Sequence, residues 1–328
     1  MLYLHIALGI DIAKDKFDVA LLNDDSFKLA QFENNKTGFR KLTKWLKKHG
    51  GKKCTACMEA TGRYGDELAD YLYNQNHPVS VVNPARIKAY RQSRQQRNKT
   101  DREDAKIIAH FCATQQPRLW SPPPAHIQEL QALTRRLEAL KDDRTRELNR
   151  RVSGIKSKIV QKDIEKHIAF LDKQIAKLQQ QINQLIDQHS DLRRKKELLT
   201  SIKGIGDITA AAFLGEVTDI DQFESAQQLA AYAGLTPSQH QSGKSISKPG
   251  RMSKQGNPRL RKLFYMPVKS AKRFNPIVKR LVTRMEKAGK PYHTIRGAAM
   301  RKLIHLAYGV LKTGQPFDPN YVNLQTPS

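Results

Sequence analysis

The chain has 328 residues, 39% of them hydrophobic, with 58 lysines and arginines against 31 acids, a formal net charge of +27. That length accommodates two domains and a connector, and so large a positive excess favours a polyanionic partner over simple solubility. With no run of about 18 apolar residues and no cleavage pattern after MLYLHIALGID, neither a membrane span nor a signal peptide is expected, and the chain is assigned to the cytoplasm.

Residues 1–120 read as α/β. Leu4–Ile10 is an apolar strand running into Asp11, and Lys16–Leu22 and Phe27–Phe32 follow at hairpin spacing. Thr37–His49 has helical periodicity, Lys53–Glu59 reads as a strand, Tyr64–Tyr73 as a helix and Pro78–Val82 as a strand. Two further helices cover Pro84–Gln92 and Asp101–Ala113. A mixed sheet with helices on its faces is the expected result. The three cysteines, Cys54, Cys57 and Cys112, form no disulfide framework, and the Cys54–Cys57 pair lacks the second pair of ligands that a zinc site needs, so they are read as structural.

Ser121 and the three prolines after it mark a boundary. Beyond it the period changes. Leu130, Leu133, Leu137 and Leu140, and then Ile164, Ile168, Leu171, Ile175, Leu178, Ile182 and Leu185, alternate steps of three and four. This heptad seam predicts two long helices over 121–196, joined near Ser153–Gly154 or continuous through it, forming either a hairpin within one chain or a coiled coil between copies. Residues 197–328 read as a mainly helical domain with a loose tail after Pro316.

Four acids stand at element ends. Asp11 closes the first strand and Glu59 closes another expected beside it, while Asp101 and Asp104, three apart, project from one face at the start of a helix. Each alone can be explained as a turn residue or as an acid at a helix N-terminus. Together they would repel one another unless cations neutralised them, and such an oxygen set suits Mg²⁺ or Mn²⁺, the ions of phosphodiester chemistry.

In the second half, Lys203, Gly204 and Gly206 lie in a Gly-x-Gly turn between helices, the pattern of a helix-hairpin-helix whose backbone amides approach a phosphate, or of a plain glycine-rich connection. Pro237 ends a helix, and the stretch to Gly256 reads as a loop in which Ser242, Ser245, Ser247 and Ser253 sit among Lys244, Lys248, Arg251 and Lys254. A serine there has cations to stabilise developing charge, but the residues alone do not choose which serine. From Gln241 to Lys312 there are 19 lysines and arginines against one acid, Glu286, interleaved with aromatic residues. Arg259, Arg261, Lys262, Lys272, Arg273, Lys279, Arg280 and Arg284 recur at helical spacing and read as contacts to nucleic-acid backbone.

The spacing GID-x-x-K at Gly9–Lys14, MEATG at Met58–Gly62 and NKTDREDA at Asn98–Ala105 resembles the RuvC-like, DEDD-type nuclease domain, and more narrowly the transposases of the insertion sequence 110 family and the related Piv-type invertases. Ala233–Pro237, Ser242-Gly243 and Gly250–Gly256 resemble that family's C-terminal domain, with Lys248-Pro249 departing from the arginine-containing segment expected there. The resemblance spans nearly the whole chain. It implies an RNase H-like fold for 1–120, metal ligation by Asp11, Glu59, Asp101 and Asp104, and Ser242 as nucleophile. It further implies a dimeric or tetrameric recombinase that exchanges donor and target DNA through a phosphoserine link, guided by a structured bridge RNA from the element. Two rivals stand beside it: a metal-dependent nuclease or Holliday-junction resolvase that uses water, and a non-catalytic nucleic-acid-binding protein whose acids only cap and brace.

Overall fold

The computed structural model describes residues 6–24, 26–60, 64–94, 100–242 and 246–320, with the backbone alone for 238–242 and 246–251. The chain divides into two compact units, Met1–Pro122 and Pro123–Ser328.

The first unit is built on five strands, β1 (Ala7–Ile12), β2 (Lys16–Asn23), β3 (Ser26–Glu33), β4 (Thr55–Glu59) and β5 (Val79–Val82), in the order β3-β2-β1-β4-β5. The first three form an antiparallel meander, as their short connections allow. β4 and β5 join β1 in parallel and need crossovers, which α1 (Lys36–Lys48) and α2 (Asp66–Asn74) supply. α3 (Pro84–Ser93) and α4 (Asp101–Gln115) follow. Leu8, Ile10, Phe17, Val19 and Leu21 pack with Phe39, Leu42, Leu46, Leu68 and Leu72 of α1 and α2. Ala7 and Cys57 pack on the other face with Ile87, Ile107, Ile108 and Phe111 of α3 and α4. Covered on both faces, β1 is apolar without alternation. The three cysteines are free and buried, and burial pushes the Cys54 thiol up to about 12.

In the second unit α5 (Ala125–Arg151) and α6 (Lys158–Gln188) run antiparallel, with Arg144 paired to Asp172 and Glu147 facing His167 at 3.4 Å. Gly154, at φ +82°, takes the left-handed turn between them. The expected seam is buried at Ile164, Ile168, Leu171, Ile175 and Ile182, and α6 pairs with α5 of the same chain. Then come α7 (Ser190–Ser201), α8 (Asp207–Glu216), a 3₁₀ turn at Ile220–Gln222, and α9 (Ala226–Tyr232). After a pair of strands the chain closes with α10 (Pro258–Leu263), α11 (Pro267–Phe274), α12 (Pro276–Lys287) and α13 (Tyr292–Thr313). Pro258, Pro267 and Pro276 open three of these helices, where a missing N–H costs nothing.

The segment read from the sequence as a loop up to Gly256 is instead an antiparallel hairpin, β6 (Pro237–Ser242) and β7 (Ile246–Met252). Its residues carry little apolar alternation, so no strand signal reached the sequence. The register shifts between Ser238 and His240, opposite Pro249 and Gly250, where a proline without an N–H interrupts the ladder. Among the described residues no helix is long and apolar enough to cross a membrane.

Candidate active site

The pleat of the first sheet decides which side chains share a face. Ala7, Gly9 and Asp11 alternate with Leu8 and Ile10, so Asp11 continues the face that α4 covers. Cys57 on β4 faces α4, and so therefore does Glu59, two residues on. β1 and β4 are parallel with Ile10 opposite Met58, so Asp11 and Glu59 lie at the same end of adjacent strands. On β2, Ala20 packs on Ala105 and Ala109 of α4, which puts Asp18 and Lys16 on that face as well.

α4 reaches this face through small residues. A Cβ built on Gly9 would lie 2.1 Å from the Ala105 carbonyl oxygen and 2.2 Å from the Ala109 amide nitrogen. Asp101, Ala105 and Ala109 are spaced four apart, so the stripe that touches β1 ends in Asp101. Thr100 caps the helix by accepting from the Glu103 amide at 3.3 Å.

The result is an acidic edge held by two side-chain cations. Lys16 Nζ lies 3.2 Å from Asp101 Oδ2 and 4.0 Å from Asp18 Oδ2. Arg91 of α3 lies 2.6 Å from Asp104 Oδ1. Gln31 donates to Asp18 at 2.9 Å. Burial, and then the charges of Asp104, Asp101 and Asp18, push the Asp11 carboxyl up to about 6, against the pull of Arg91. Among the described residues, no three of these carboxylates bring oxygens within 4.8 Å of one another. Lys16 bridges Asp101 and Asp18 and Arg91 pairs with Asp104, neutralising charge where a bound cation otherwise would. Oxygen donors in excess, one driven toward its neutral form, are a fit for a hard divalent ion. Asp18, Lys16 and Arg91 did not emerge from the sequence. The available signal was Asp18 itself, an acid inside the apolar strand FDVALL.

Of the residues expected in the second unit, Lys244 lies outside the described residues, and Ser242, Lys248 and Arg251 are described in backbone alone. Ser242 is the last residue of β6, in register with Ile246 across the hairpin. The base of that hairpin is tightly fixed. Gly234 and Gly256 have φ of +69° and +149°, and a Cβ on Gly256 would meet the Tyr232 carbonyl oxygen at 2.3 Å. Arg261 Nη1 donates to the carbonyls of Ala233 and Lys254 at 3.2 and 3.1 Å, so this arginine clamps backbone. Asn257 caps α10 and donates to Glu216 at 2.9 Å, and Glu216 also takes two hydrogen bonds from Arg135 of α5, at 2.7 and 3.2 Å. Burial alone would raise the Glu216 pKa, but the bonds from Arg135 and Asn257 and the charges of Arg135 and Arg259 outweigh it and hold the carboxyl below its ordinary range.

The other basic residues separate by partner. Lys262 is paired with Glu138 and Asp142 at 2.9 and 2.7 Å, Arg259 with Glu138 at 3.5 Å, and Lys272 with Glu286 at 2.6 Å. Arg273, Lys279, Arg280 and Arg284 form no ion pair among the described residues and are exposed. Lys203 is exposed beside Gly204, whose φ of +114° and absent Cβ let it pack on Ala271 of α11. The freedom of Gly204 is thus spent on packing. Gly206 precedes α8, whose first turn already carries Asp207.

Residues 8–157 match a DEDD-type family model of the IS110 kind, described as a transposase, and residues 196–283 match the transposase IS116/IS110/IS902 family. The chain is 37% identical over 315 residues to the pilin gene-inverting protein of Moraxella bovis, an alignment that covers 95% of this chain and 97% of that one. It is 27% identical over 289 residues to the transposase for insertion sequence element IS1111A of Coxiella burnetii, covering 78% and 75% of the two chains. An acidic edge on an α/β sheet, a basic helical second unit and similarity along nearly the full length agree, and the chain belongs to the IS110 family of transposases and DNA invertases.

Proposed function

We propose that this protein is a DNA recombinase that moves an insertion sequence by strand exchange, with a RuvC-like first domain, a helical assembly arm and a C-terminal serine transposase domain. The observation that carries the reading is the acidic edge, where half-buried Asp11 feels the charges of Asp104, Asp101 and Asp18. The strand order, three antiparallel strands continued by two parallel ones, supports the RuvC-like assignment. Asp11, Glu59, Asp101 and Asp104 would hold Mg²⁺ or Mn²⁺, and the ion would supply charge to the reacting phosphate oxygens. Lys16 and Arg91 pair with Asp101 and Asp104 and hold them in position until then.

Ser242, at the end of a hairpin whose base is clamped, is the proposed nucleophile. Its Oγ attacks phosphorus and loses its proton. The bond from phosphorus to one deoxyribose oxygen breaks, and that oxygen takes up a proton. The phosphodiester becomes a serine ester, which the hydroxyl of the incoming strand then attacks in reverse, so no energy cofactor is consumed. Arg273, Lys279, Arg280 and Arg284 offer unneutralised charge to donor and target DNA and to a guiding bridge RNA, whose pairing would choose the sequences. The working assembly is a dimer or tetramer acting in the bacterial cytoplasm.

The test uses wild-type protein and Ser242→Ala with the element's flanking RNA, Mg²⁺ and end-labelled donor and target DNA, resolved on a denaturing protein gel. A protease-sensitive labelled adduct in wild type and none in Ser242→Ala is the expected result. Cleavage that persists in Ser242→Ala without an adduct would replace this reading with a hydrolytic nuclease.

A further inference from the structure

A second donor cluster lies far along the chain from the acidic edge and differs from it in chemistry. His126 is the second residue of α5, His189 is the joint between α6 and α7, and Asp191 is in the first turn of α7. One ligating atom from each lies within 4.8 Å of the other two. The two imidazoles stack with centroids 4.2 Å apart and planes inclined by 22°. Both rings are half-buried, and among the described residues neither has a hydrogen-bond partner for its ring nitrogens.

The backbone around them is firmly placed. His189 leaves the helical region at φ −120°, ψ 108°, ending α6 and beginning α7. Ile127, beside His126, and Ile186 and Leu192, on either side of His189, are buried in the same core. The three donors therefore come from elements whose relative placement the core already sets, which lowers the cost of gathering them.

We infer that His126, His189 and Asp191 bind one borderline divalent cation of the zinc class, which fastens the start of α5 to the joint between α6 and α7. Two imidazoles and a carboxylate suit Zn²⁺ or Co²⁺, with water completing a four-coordinate site. Mg²⁺ and Ca²⁺ take oxygen donors, so the acidic edge and this cluster select different ions. Binding requires side-chain rotation to bring donors to about 2.0–2.2 Å from the ion. It also releases Asp191 from Lys195, whose Nζ lies 3.7 Å away. The ion would join the two helices at the end opposite the Gly154 turn, closing a pair that the turn alone joins covalently.

The experiment uses full-length protein stripped with a chelator and titrated with Co²⁺. The expected result is the visible absorption of a four-coordinate nitrogen–oxygen complex, displaced by one equivalent of Zn²⁺ and unchanged by excess Mg²⁺. Asp11→Asn should retain it, since the acidic edge is not involved. His126→Ala and His189→Gln should each weaken Zn²⁺ binding by at least about tenfold, while unliganded wild type and variants share one far-ultraviolet spectrum. Absence of the band in wild type overturns the inference. So does a thiolate charge-transfer band, which would assign the ion to cysteine, or a band that survives in the double histidine variant.

Discussion

Gly9 of β1 and Ala105 of α4 are in such close approach that a single methyl group on Gly9 would stand 2.1 Å from the Ala105 carbonyl oxygen. The contact fixes the height of α4 above the sheet, and with it the distance from Asp101 and Asp104 to Asp11. Gly9→Ala must push the helix outward. The expected cost is about 1–3 kcal/mol of stability, as for other overpacked cores, measured by urea unfolding. Strand cleavage should fall far more steeply than stability, because the acids ride on the displaced helix. A Gly9→Ala protein with full cleavage would show that the acids do not need this spacing.

Asp11 is a carboxyl made costly to ionise. Its folded pKa, about 6, lies above the ordinary value, so its contribution to stability is fully present below the ordinary carboxylate range and is lost as pH rises through about 6. At neutral pH without divalent ions, Asp11→Asn should therefore be the more stable protein, by about 1 kcal/mol after discounting for partial exposure. Adding Mg²⁺ should raise the melting temperature of wild type and leave Asp11→Asn unmoved. Differential scanning fluorimetry with and without Mg²⁺ separates the two effects.

Glu216 has the opposite sign. Its folded pKa is held below the ordinary value, so it stabilises the fold above the ordinary carboxylate range, and that stability drains away as pH falls through the folded value. Glu216→Gln should cost about 1.5–3 kcal/mol at neutral pH, the worth of hydrogen bonds to a charged group. The difference from wild type should shrink on acidification. Parallel denaturation curves at several pH values give the answer directly, and a constant difference across the range would assign the loss to packing.

How much of this was legible beforehand follows from the range of each interaction. Strands and helices in the first unit follow from local apolar periods, and β1 to β5 fall within a few residues of expectation. The four acids were visible because each closes or opens such an element. The contact of Gly9 with Ala105 and Ala109 joins residues nearly a hundred apart, so nothing local announces it. Lys16 and Arg91 reach Asp101 and Asp104 only through the sheet and α3, so nothing local marked them. The β6–β7 hairpin escaped because its strands bear serine, glutamine and lysine, and its pairing is made by backbone.

Charge that is already paired should contribute less to nucleic-acid binding than charge that is not. Alanine at Arg273, Lys279, Arg280 or Arg284 should each reduce the slope of log K against log salt by up to about 0.9. Alanine at Lys262 or Lys272, which face acids of their own chain, should change it less. Fluorescence anisotropy with labelled duplex over a salt series measures both groups, and equal slopes throughout would contradict the division.

Asp11 and Ser242 belong to different compact units of the chain. If a working centre draws its acids from one copy and its serine from another, mixing Asp11→Asn with Ser242→Ala protein should restore part of the strand exchange that each lacks. Mixed assemblies, isolated by two affinity tags, should form the covalent adduct. Inactive mixed assemblies would argue that each copy uses its own pair.

The bond from Arg135 to Glu216, continued by Asn257, gives α5 a mechanical role. α5 has 27 residues, a rod of about 40 Å at 1.5 Å per residue. At Arg135, its eleventh residue, it is tied through a single buried carboxylate to the asparagine that opens α10 just beyond the β6–β7 hairpin. A sideways load on either end of α5 would therefore pass through this one carboxylate and arrive as torque at the footing of the β6–β7 hairpin.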